Sequence, residues 1–236
     1  MSFRTKAGAV AVAAALCTLT VPAAMASPGL AHSPAQVTGK KLKAGLLPPT
    51  SFQPGYSTLF ASNSGGKLEH GTTFGVPSMK CSDFWLFAGH TKGFGETAFA
   101  TESATSKSGQ APVLELFDQA VYQLASNKAA ATLDSQIGAR YKACKSVKFS
   151  DGHGGTFKES VHSRVTERVG GHQSLLLTEY ETDTKTPGPP QVIVVLWTLD
   201  GTDIYRIDSE LITVKAPKPT LSSLMLKLIP RVRALK

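Results

Sequence analysis

The chain has 236 residues, of which 42% are hydrophobic and 18% are charged, and its formal net charge is +8. This length is enough for one domain with a sizeable core and a tail. The positive charge would suit an anionic cell-wall polymer, lipid head groups or nucleic acid. Because no platform of interleaved basic and aromatic residues is evident, we expect no nucleic-acid partner.

The N-terminus has the pattern of a secretory signal peptide. Arg4 and Lys6 precede an uncharged run, residues 7–26, which is dominated by Ala, Val and Leu and ends in small residues. A retained membrane anchor is the alternative, but a spanning helix needs about 20 strongly apolar residues. This run is rich in Ala and is interrupted by polar residues and a proline. We therefore expect residues 1–26 to be a signal peptide cleaved after Ala26, and the mature protein to be secreted.

The three cysteines of the chain have different expected roles. Cys17 lies inside the apolar run and follows Leu16, whereas a lipidated cysteine follows such a run and a small residue, so lipid anchoring is disfavoured. Cys81 and Cys144 remain after cleavage. Two lone thiols in an exported protein normally pair because the compartment is oxidising. A Cys81–Cys144 disulfide is therefore expected, with two buried free thiols as the alternative.

The mature chain is expected to consist of a tail and one domain. Residues 27–44 are rich in Ser, Pro, Gly and Lys without apolar periodicity, which predicts a disordered tail. Residues 45–236 are then the folded domain. Basic residues cluster at both ends of the mature chain: Lys40, Lys41, Lys43, Lys215, Lys218, Lys227, Arg231, Arg233 and Lys236. A solvated basic surface is the simplest interpretation of these clusters, and attachment to a cell-wall polymer or a lipid surface is the alternative.

Several segments have the pattern of β-strands. Residues 96–104 alternate small or apolar residues with polar ones, and residues 173–181 are a second candidate. Residues 191–199 are apolar on both alternating sets, which is typical of a central strand covered on both faces. Asp200-Gly201 follows directly and predicts a tight hairpin turn with positive φ. Residues 203–216 then return as the partner strand.

Two segments combine helical periodicity with a capping residue. After Ser126, apolar residues recur at steps of three and four: Ala130, Leu133, Ile137, Tyr141 and Cys144. This spacing directs Cys144 towards the core, where a bridge to Cys81 would pin the helix to a neighbouring segment. Thr220 can cap a second helix, whose apolar residues are Leu221, Leu224, Met225, Leu228 and Ile229. Pro230 is expected to end or kink that helix.

Residues 113–126 are compatible with a helix and with a strand. Their apolar positions have helical spacing, yet their second half is also a plausible strand that leads into the Ser126 cap. Periodicity alone favours a helix. The order of the other elements predicts an α+β fold, in which an antiparallel β-sheet has two main helices packed on it and is stapled by one disulfide.

The layout resembles that of a known family. "LLPPTSFQPGY" is followed by a cysteine in "PSMKCSDFW", and "VYQLASNKAAATLDSQIGARYKAC" matches a strand, an Ala-rich helix and a terminal cysteine. In these respects the chain is similar, over about residues 45–234, to actinobacterial secreted proteins related to PknH-like extracellular sensor domains. The resemblance implies that residues 113–125 form a strand, and that a cleft on an antiparallel sheet binds an extracellular ligand of unknown identity. PknH-like domains take their name from a serine/threonine kinase, whose own sensor domain resembles a scaffold with two disulfides, whereas only Cys81 and Cys144 are available here.

The sequence assembles no catalytic or metal-binding motif. Glycines surround His153 in "DGHGGTF", but an oxyanion hole of that type accompanies a Gly-x-Ser-x-Gly nucleophile elbow, which the sequence lacks. The other central histidines lack the close spacing of zinc ligands and are interpreted as surface or turn residues: His70, His90, His162 and His172. Two acid pairs are candidates for catalysis and are interpreted as solvated positions: Glu115 with Asp118, and Asp203 with Asp208.

These observations favour a secreted, non-enzymatic, sensor-like protein that binds an unknown extracellular ligand, either a small molecule or a cell-wall component. We expect no cofactor, no metal and no membrane span. A small exported hydrolase that uses His153 or another site is one alternative. A protein that binds the cell wall or a lipid surface through its basic ends is the other.

Overall fold

Residues 37–65, 80–81, 96–106, 116–150, 156–185, 188–211 and 220–236 are described by a computed structural model. They belong to one compact unit, Ser33–Lys236. The described strands are β1 (Tyr56–Gly65), β2 (Ala98–Ser106), β3 (Leu116–Gln123), β4 (Ser146–Ser150), β5 (Thr156–Val169), β6 (His172–Asp183), β7 (Gln191–Asp200) and β8 (Asp203–Leu211). The described α-helices are α1 (Gly39–Gly45), α2 (Asn127–Ala143) and α3 (Leu221–Arg233). The predicted signal peptide and Cys17 lie outside the described residues.

The described strands form one antiparallel sheet in the order β1-β2-β3-β8-β7-β6-β5-β4. β7 lies inside this sheet and is buried on both faces, since Leu196 and Trp197 point to opposite sides and are both fully buried. The structure therefore confirms the predicted central strand. Gly201 has a φ of 61° in the turn between β7 and β8, so the predicted hairpin with positive φ is confirmed as well.

Helices α1 and α3 pack on one face of the sheet, which we call the α1/α3 face. Their buried leucines share one apolar cluster with Val121 of β3 and Tyr205 of β8. Thr220 caps α3 as predicted, because its side chain accepts a hydrogen bond from the Ser223 amide. Pro230 does not end the helix, which continues to Arg233. Pro230 lies on the exposed side of α3, where water can bond the carbonyl that proline leaves without a donor.

The predicted boundary of the tail is wrong. Residues 37–44, which belong to the predicted disordered tail over 27–44, are folded, and seven residues from Gly39 form α1. Thr38 caps this helix, and Leu42 is fully buried on the sheet. The remainder of the predicted tail, residues 27–36, lies outside the described residues.

Side chains of β3 explain why this segment folds. Gln123 Oε1 accepts a hydrogen bond from the Val37 amide at 2.8 Å. Gln119 bonds both backbone groups of Leu47, accepting from its amide at 2.9 Å and donating to its carbonyl at 2.7 Å. Buried backbone groups need such partners. Because both glutamines are distant in sequence, the local composition around α1 could not reveal them.

Helix α2 packs on the opposite face of the sheet, which we call the α2 face. Ser126 caps α2 as predicted, and its side chain accepts a hydrogen bond from the Ala129 amide at 3.1 Å. The predicted apolar stripe is buried, and Cys144 at its end is almost fully buried. Cys144 forms a disulfide with Cys81, and their Cα atoms are 5.4 Å apart. The α+β fold with two main helices and one disulfide is thus the observed one, with the short helix α1 in addition.

The structure decides between the helix and the strand that were both considered for residues 113–126. The helix that periodicity favoured is wrong, and the strand implied by the family resemblance is confirmed over Leu116–Gln123. Phe117 and Val121 pack on the α1/α3 face, whereas Ala120 and Tyr122 pack on the α2 face. A strand that is apolar on both faces contains apolar pairs at steps of three and four, and this spacing imitated that of a helix.

Candidate functional site

Three buried charged residues lie on the α2 face of the sheet. The Arg206 guanidinium donates a hydrogen bond to Asp208 Oδ2 at 2.9 Å, and both residues belong to β8. Glu179 of β6 lies across the intervening strand β7 and is only 3% exposed. The Arg206 guanidinium carbon lies 5.7 Å from the centre of the Trp197 ring, within cation–π range. We call Arg206, Asp208 and Glu179 the charged floor.

Four partly buried carboxylates surround the charged floor: Asp118, Glu159, Glu181 and Glu210. Asp118 of β3 is the direct partner of Asp208 in the register, and Glu159 of β5 is the direct partner of Glu181. Like charges in such cross-strand positions repel each other and destabilise a sheet. We call the charged floor and these four residues together the carboxylate site.

Burial changes the protonation of two carboxyls in this site. It raises the pKa of Glu159 to about 9 and that of Glu179 to about 8. The two carboxyls are hydrogen-bonded to each other, which places them side by side. At pH 7 both are mainly protonated, so the proton of one carboxyl makes the hydrogen bond between them and the proton of the other remains available to donate.

The same surroundings raise the pKa values of two further carboxyls. Burial raises the pKa of Glu210 to about 7, and the charges of Glu181 and Asp118 add to that rise. Burial also raises the pKa of Asp208 above its ordinary range, although the charge of Arg206 opposes the rise. Strongly shifted pKa values that cluster in one place are typical of functional sites.

Four buried polar atoms of the carboxylate site have no hydrogen-bond partner among the described residues. They are Asp118 Oδ1, Glu179 Oε1, Arg206 Nε and Asp208 Oδ1. Most buried polar groups in proteins are bonded to protein or to ordered water, and an unpaired group costs about 1–3 kcal/mol. Several such atoms in one place therefore indicate a region that a polar ligand or ordered water would complete. Gln119 and Gln123 on the other face differ, since their bonds to the backbone are made.

No group of three or more His, Cys, Asp and Glu residues in the described part of the chain is arranged to hold a metal ion. Within the same residues, no helix is both long enough and apolar enough to cross a membrane.

The interpretation of Asp203 and Asp208 as solvated residues is wrong. Both are buried, and they lie on opposite faces of β8. Asp208 belongs to the charged floor, whereas Asp203 accepts a hydrogen bond from the Tyr205 hydroxyl at 3.2 Å and pairs with Lys236 at 2.7 Å. Asp118 lies at the edge of the carboxylate site. Glu115 lies outside the described residues.

The described histidines lie apart from the carboxylate site. His172 Nδ1 is 3.6 Å from Asp200 Oδ1 beside the β7–β8 turn. His162 is exposed and stacks on Tyr180, with 4.4 Å between the ring centres. His153, which carried the hydrolase alternative, is outside the described residues, as are His70 and His90.

Sequence reasoning missed Arg206 and Glu179, the central residues of the site. A usable signal was present in "IYRID", where Arg206 and Asp208 occupy alternate positions of a strand next to the predicted central strand. Such residues share one face of the sheet, and that face had already been predicted to be covered. A buried charge pair follows from those two statements.

Comparisons with known proteins support the fold. No family model and no curated protein matches the sequence. Among solved structures, the chain is similar to the extracellular domain of PknH from Mycobacterium tuberculosis, with a TM-score of 0.55, 12% identity, and coverage of 85% of this chain and 98% of that chain. A second match, an Rv0999 ortholog from Mycobacterium smegmatis, has a TM-score of 0.38, 13% identity, and coverage of 82% and 95%. The relationship shown is one of fold, and the second match carries no argument.

Proposed function

We propose that this chain is an exported, non-enzymatic, sensor-like domain that binds a small polar ligand at the carboxylate site. One observation carries the proposal: four buried polar atoms without partners lie together among partly buried carboxylates. The disulfide between Cys81 and Cys144 supports export, since such bonds persist in oxidising compartments. Similarity to the fold of an extracellular domain also supports it.

The chemistry of the site defines the ligand class. Arg206 Nε is an available donor, and one protonated carboxyl can also donate, because the hydrogen bond between Glu159 and Glu179 uses the proton of the other. Asp118 Oδ1 and Asp208 Oδ1 are available acceptors. A compact molecule that carries both hydroxyl or amide donors and oxygen acceptors would satisfy all of these groups. Sugars, polyols and short peptide fragments of envelope polymers belong to this class.

The domain boundaries form part of the proposal. We infer that residues 1–26 are removed during export and that cleavage follows Ala26. The folded domain then begins by Val37, eight residues before the boundary that composition had predicted at residue 45. N-terminal sequencing of the protein recovered after export would test the cleavage position directly.

Ligand binding can be tested with the protein recovered after export from an expressing host. Native mass spectrometry would detect small molecules that the protein retains. Thermal shift would then be measured with a defined panel of monosaccharides, polyols, free amino acids and peptidoglycan fragments. We expect at least one compound to raise the melting temperature, because a ligand that binds only the native state stabilises it.

Two variants test whether the ligand binds at the carboxylate site. Asp118→Asn replaces a carboxylate acceptor by a neutral amide, and a hydrogen bond to a charged group exceeds a neutral one by about 1–1.5 kcal/mol, so affinity should fall about five- to tenfold. Glu167→Gln on the α1/α3 face is the matched control and should bind like the wild type. A panel without a binding compound, or equal loss of affinity in both variants, would contradict the proposal.

A further inference from the structure

The fold brings the two basic ends of the domain together on the α1/α3 face. Arg231 Nε of α3 donates a hydrogen bond to the Gly45 carbonyl of α1 at 3.2 Å, across 186 residues of sequence. A Cβ atom at Gly45 would lie only 2.8 Å from Leu235 and 3.2 Å from Val232, so the end of α1 lies tightly against this helix. Two basic clusters that are distant in sequence thus belong to adjacent helices.

The charged side chains of α1 and α3 are all positive. Neither α1 nor α3 contains an acidic residue. Arg233 pairs with Asp200 at 2.6 Å, and Lys236 pairs with Asp203 at 2.7 Å. Five other cations are exposed and have no carboxylate partner in the described part of the chain: Lys40, Lys41, Lys43, Lys227 and Arg231.

One exposed apolar side chain, Leu226, lies beside these cations. Leu226 precedes Lys227 on the outer side of α3 and is 50% exposed, whereas Leu224 and Leu228 are fully buried on the sheet. A soluble polyanion offers such a surface only negative charges. A lipid surface offers anionic head groups together with an apolar boundary layer that an exposed leucine can enter. We call the five cations and Leu226 the basic helix surface.

We propose that the basic helix surface docks this protein on an anionic lipid membrane. The proposal goes beyond ligand binding and does not depend on it. The carboxylate site lies on the opposite face of the sheet, so attachment through α1 and α3 leaves that face directed towards the aqueous side. Docking would hold the domain at the surface of a membrane.

The test uses the protein recovered after export, so that the N-terminal processing is identical in all samples. Binding is measured by co-sedimentation with vesicles of equal parts phosphatidylglycerol and phosphatidylcholine, and with vesicles of phosphatidylcholine alone. One variant replaces Lys40, Lys41, Lys43 and Lys227 by Glu. The matched control replaces four exposed lysines near the other face by Glu: Lys128, Lys142, Lys145 and Lys148. Circular dichroism and thermal unfolding verify that each variant is folded.

We expect wild-type protein to bind only the anionic vesicles, and to lose binding as salt screens the charges. Each basic residue at an anionic surface contributes a factor of about five, and each introduced Glu also repels the head groups, so the α1/α3 variant should bind at least several hundredfold more weakly. The control should bind like the wild type, and Leu226→Ser should bind about tenfold more weakly. Unchanged binding of the α1/α3 variant, or an equal loss in the control, would overturn the proposal. Tighter binding to soluble polyphosphate that Leu226→Ser leaves unchanged would also overturn it, because the partner would then be a polyanion.

Discussion

Replacing Glu179 by Gln should reduce the pH dependence of the free energy of unfolding. Burial raises the pKa of Glu179 from its ordinary value of 4.5 to about 8, although the hydrogen bond with Glu159 and the charge of Arg206 oppose the rise. Between these two values the native state binds more protons than the unfolded state. Stability therefore falls as the pH rises through this window, and below it the contribution is constant and fully present.

The size of the effect follows from the shift. One pKa unit corresponds to about 1.4 kcal/mol for one proton, so Glu179 accounts for a loss on the order of 4 kcal/mol between about pH 4.5 and pH 8. Glutamine has nearly the same size, keeps a donor and an acceptor, and does not ionise. The variant should match the wild type near pH 5 and exceed its stability near pH 9 by on the order of 4 kcal/mol. A smaller decline should remain in the variant, because burial also raises the pKa values of Glu159, Glu181 and Glu210.

Urea-induced unfolding at about pH 5 and about pH 9, with the disulfide intact, measures this difference. The matched control is Glu167→Gln, because Glu167 faces the opposite side of the sheet and accepts a hydrogen bond from Ser222. The control should show the wild-type decline. If the stability of Glu179→Gln declines with pH as steeply as that of the wild type, the assignment of a buried, mainly protonated Glu179 is refuted.

Three further predictions concern stability, each measured by urea unfolding at one pH. Replacing both Cys81 and Cys144 by Ala opens a loop with a sequence separation of 63. In the chain-entropy model this should lower the free energy of unfolding by about 4 kcal/mol, and an unchanged urea midpoint would contradict the prediction. Gly201→Ala should lower the free energy of unfolding by about 1–2 kcal/mol, because the backbone at this position has a φ of 61°. The atom nearest to the added Cβ would lie 3.9 Å away, so a steric clash is excluded as the cause. Ser126→Ala removes the cap bond to Ala129 and should cost about 1 kcal/mol, whereas Ser126→Asp should cost little.

Patterns within single elements predicted much of the fold. The β7 strand, the Asp200-Gly201 turn and the caps at Ser126 and Thr220 are local features, since alternation, positive φ and capping involve neighbouring residues only. Each of these predictions is confirmed. The disulfide partner of Cys144 followed from the count of cysteines and not from geometry.

The remaining features depend on contacts between distant segments. Helix α1 was missed because its partners, Gln119 and Gln123, lie on a strand about eighty residues away. The carboxylate site was missed for the same reason, since Glu179 and Arg206 meet only after β6 and β8 are placed on either side of β7. Local composition made both regions look solvated. In each case the sheet supplies the burial that composition does not show.

The central claim is that a small polar ligand binds at the carboxylate site, and NMR chemical-shift mapping tests it most directly. Backbone amide spectra of the protein recovered after export would be compared without and with the compound that the thermal-shift panel identifies. We expect the largest shifts on the α2 face around Asp118, Glu179 and Asp208, with α1 unaffected. Largest shifts on α1 and α3, or spectra that no compound of the panel changes, would contradict it.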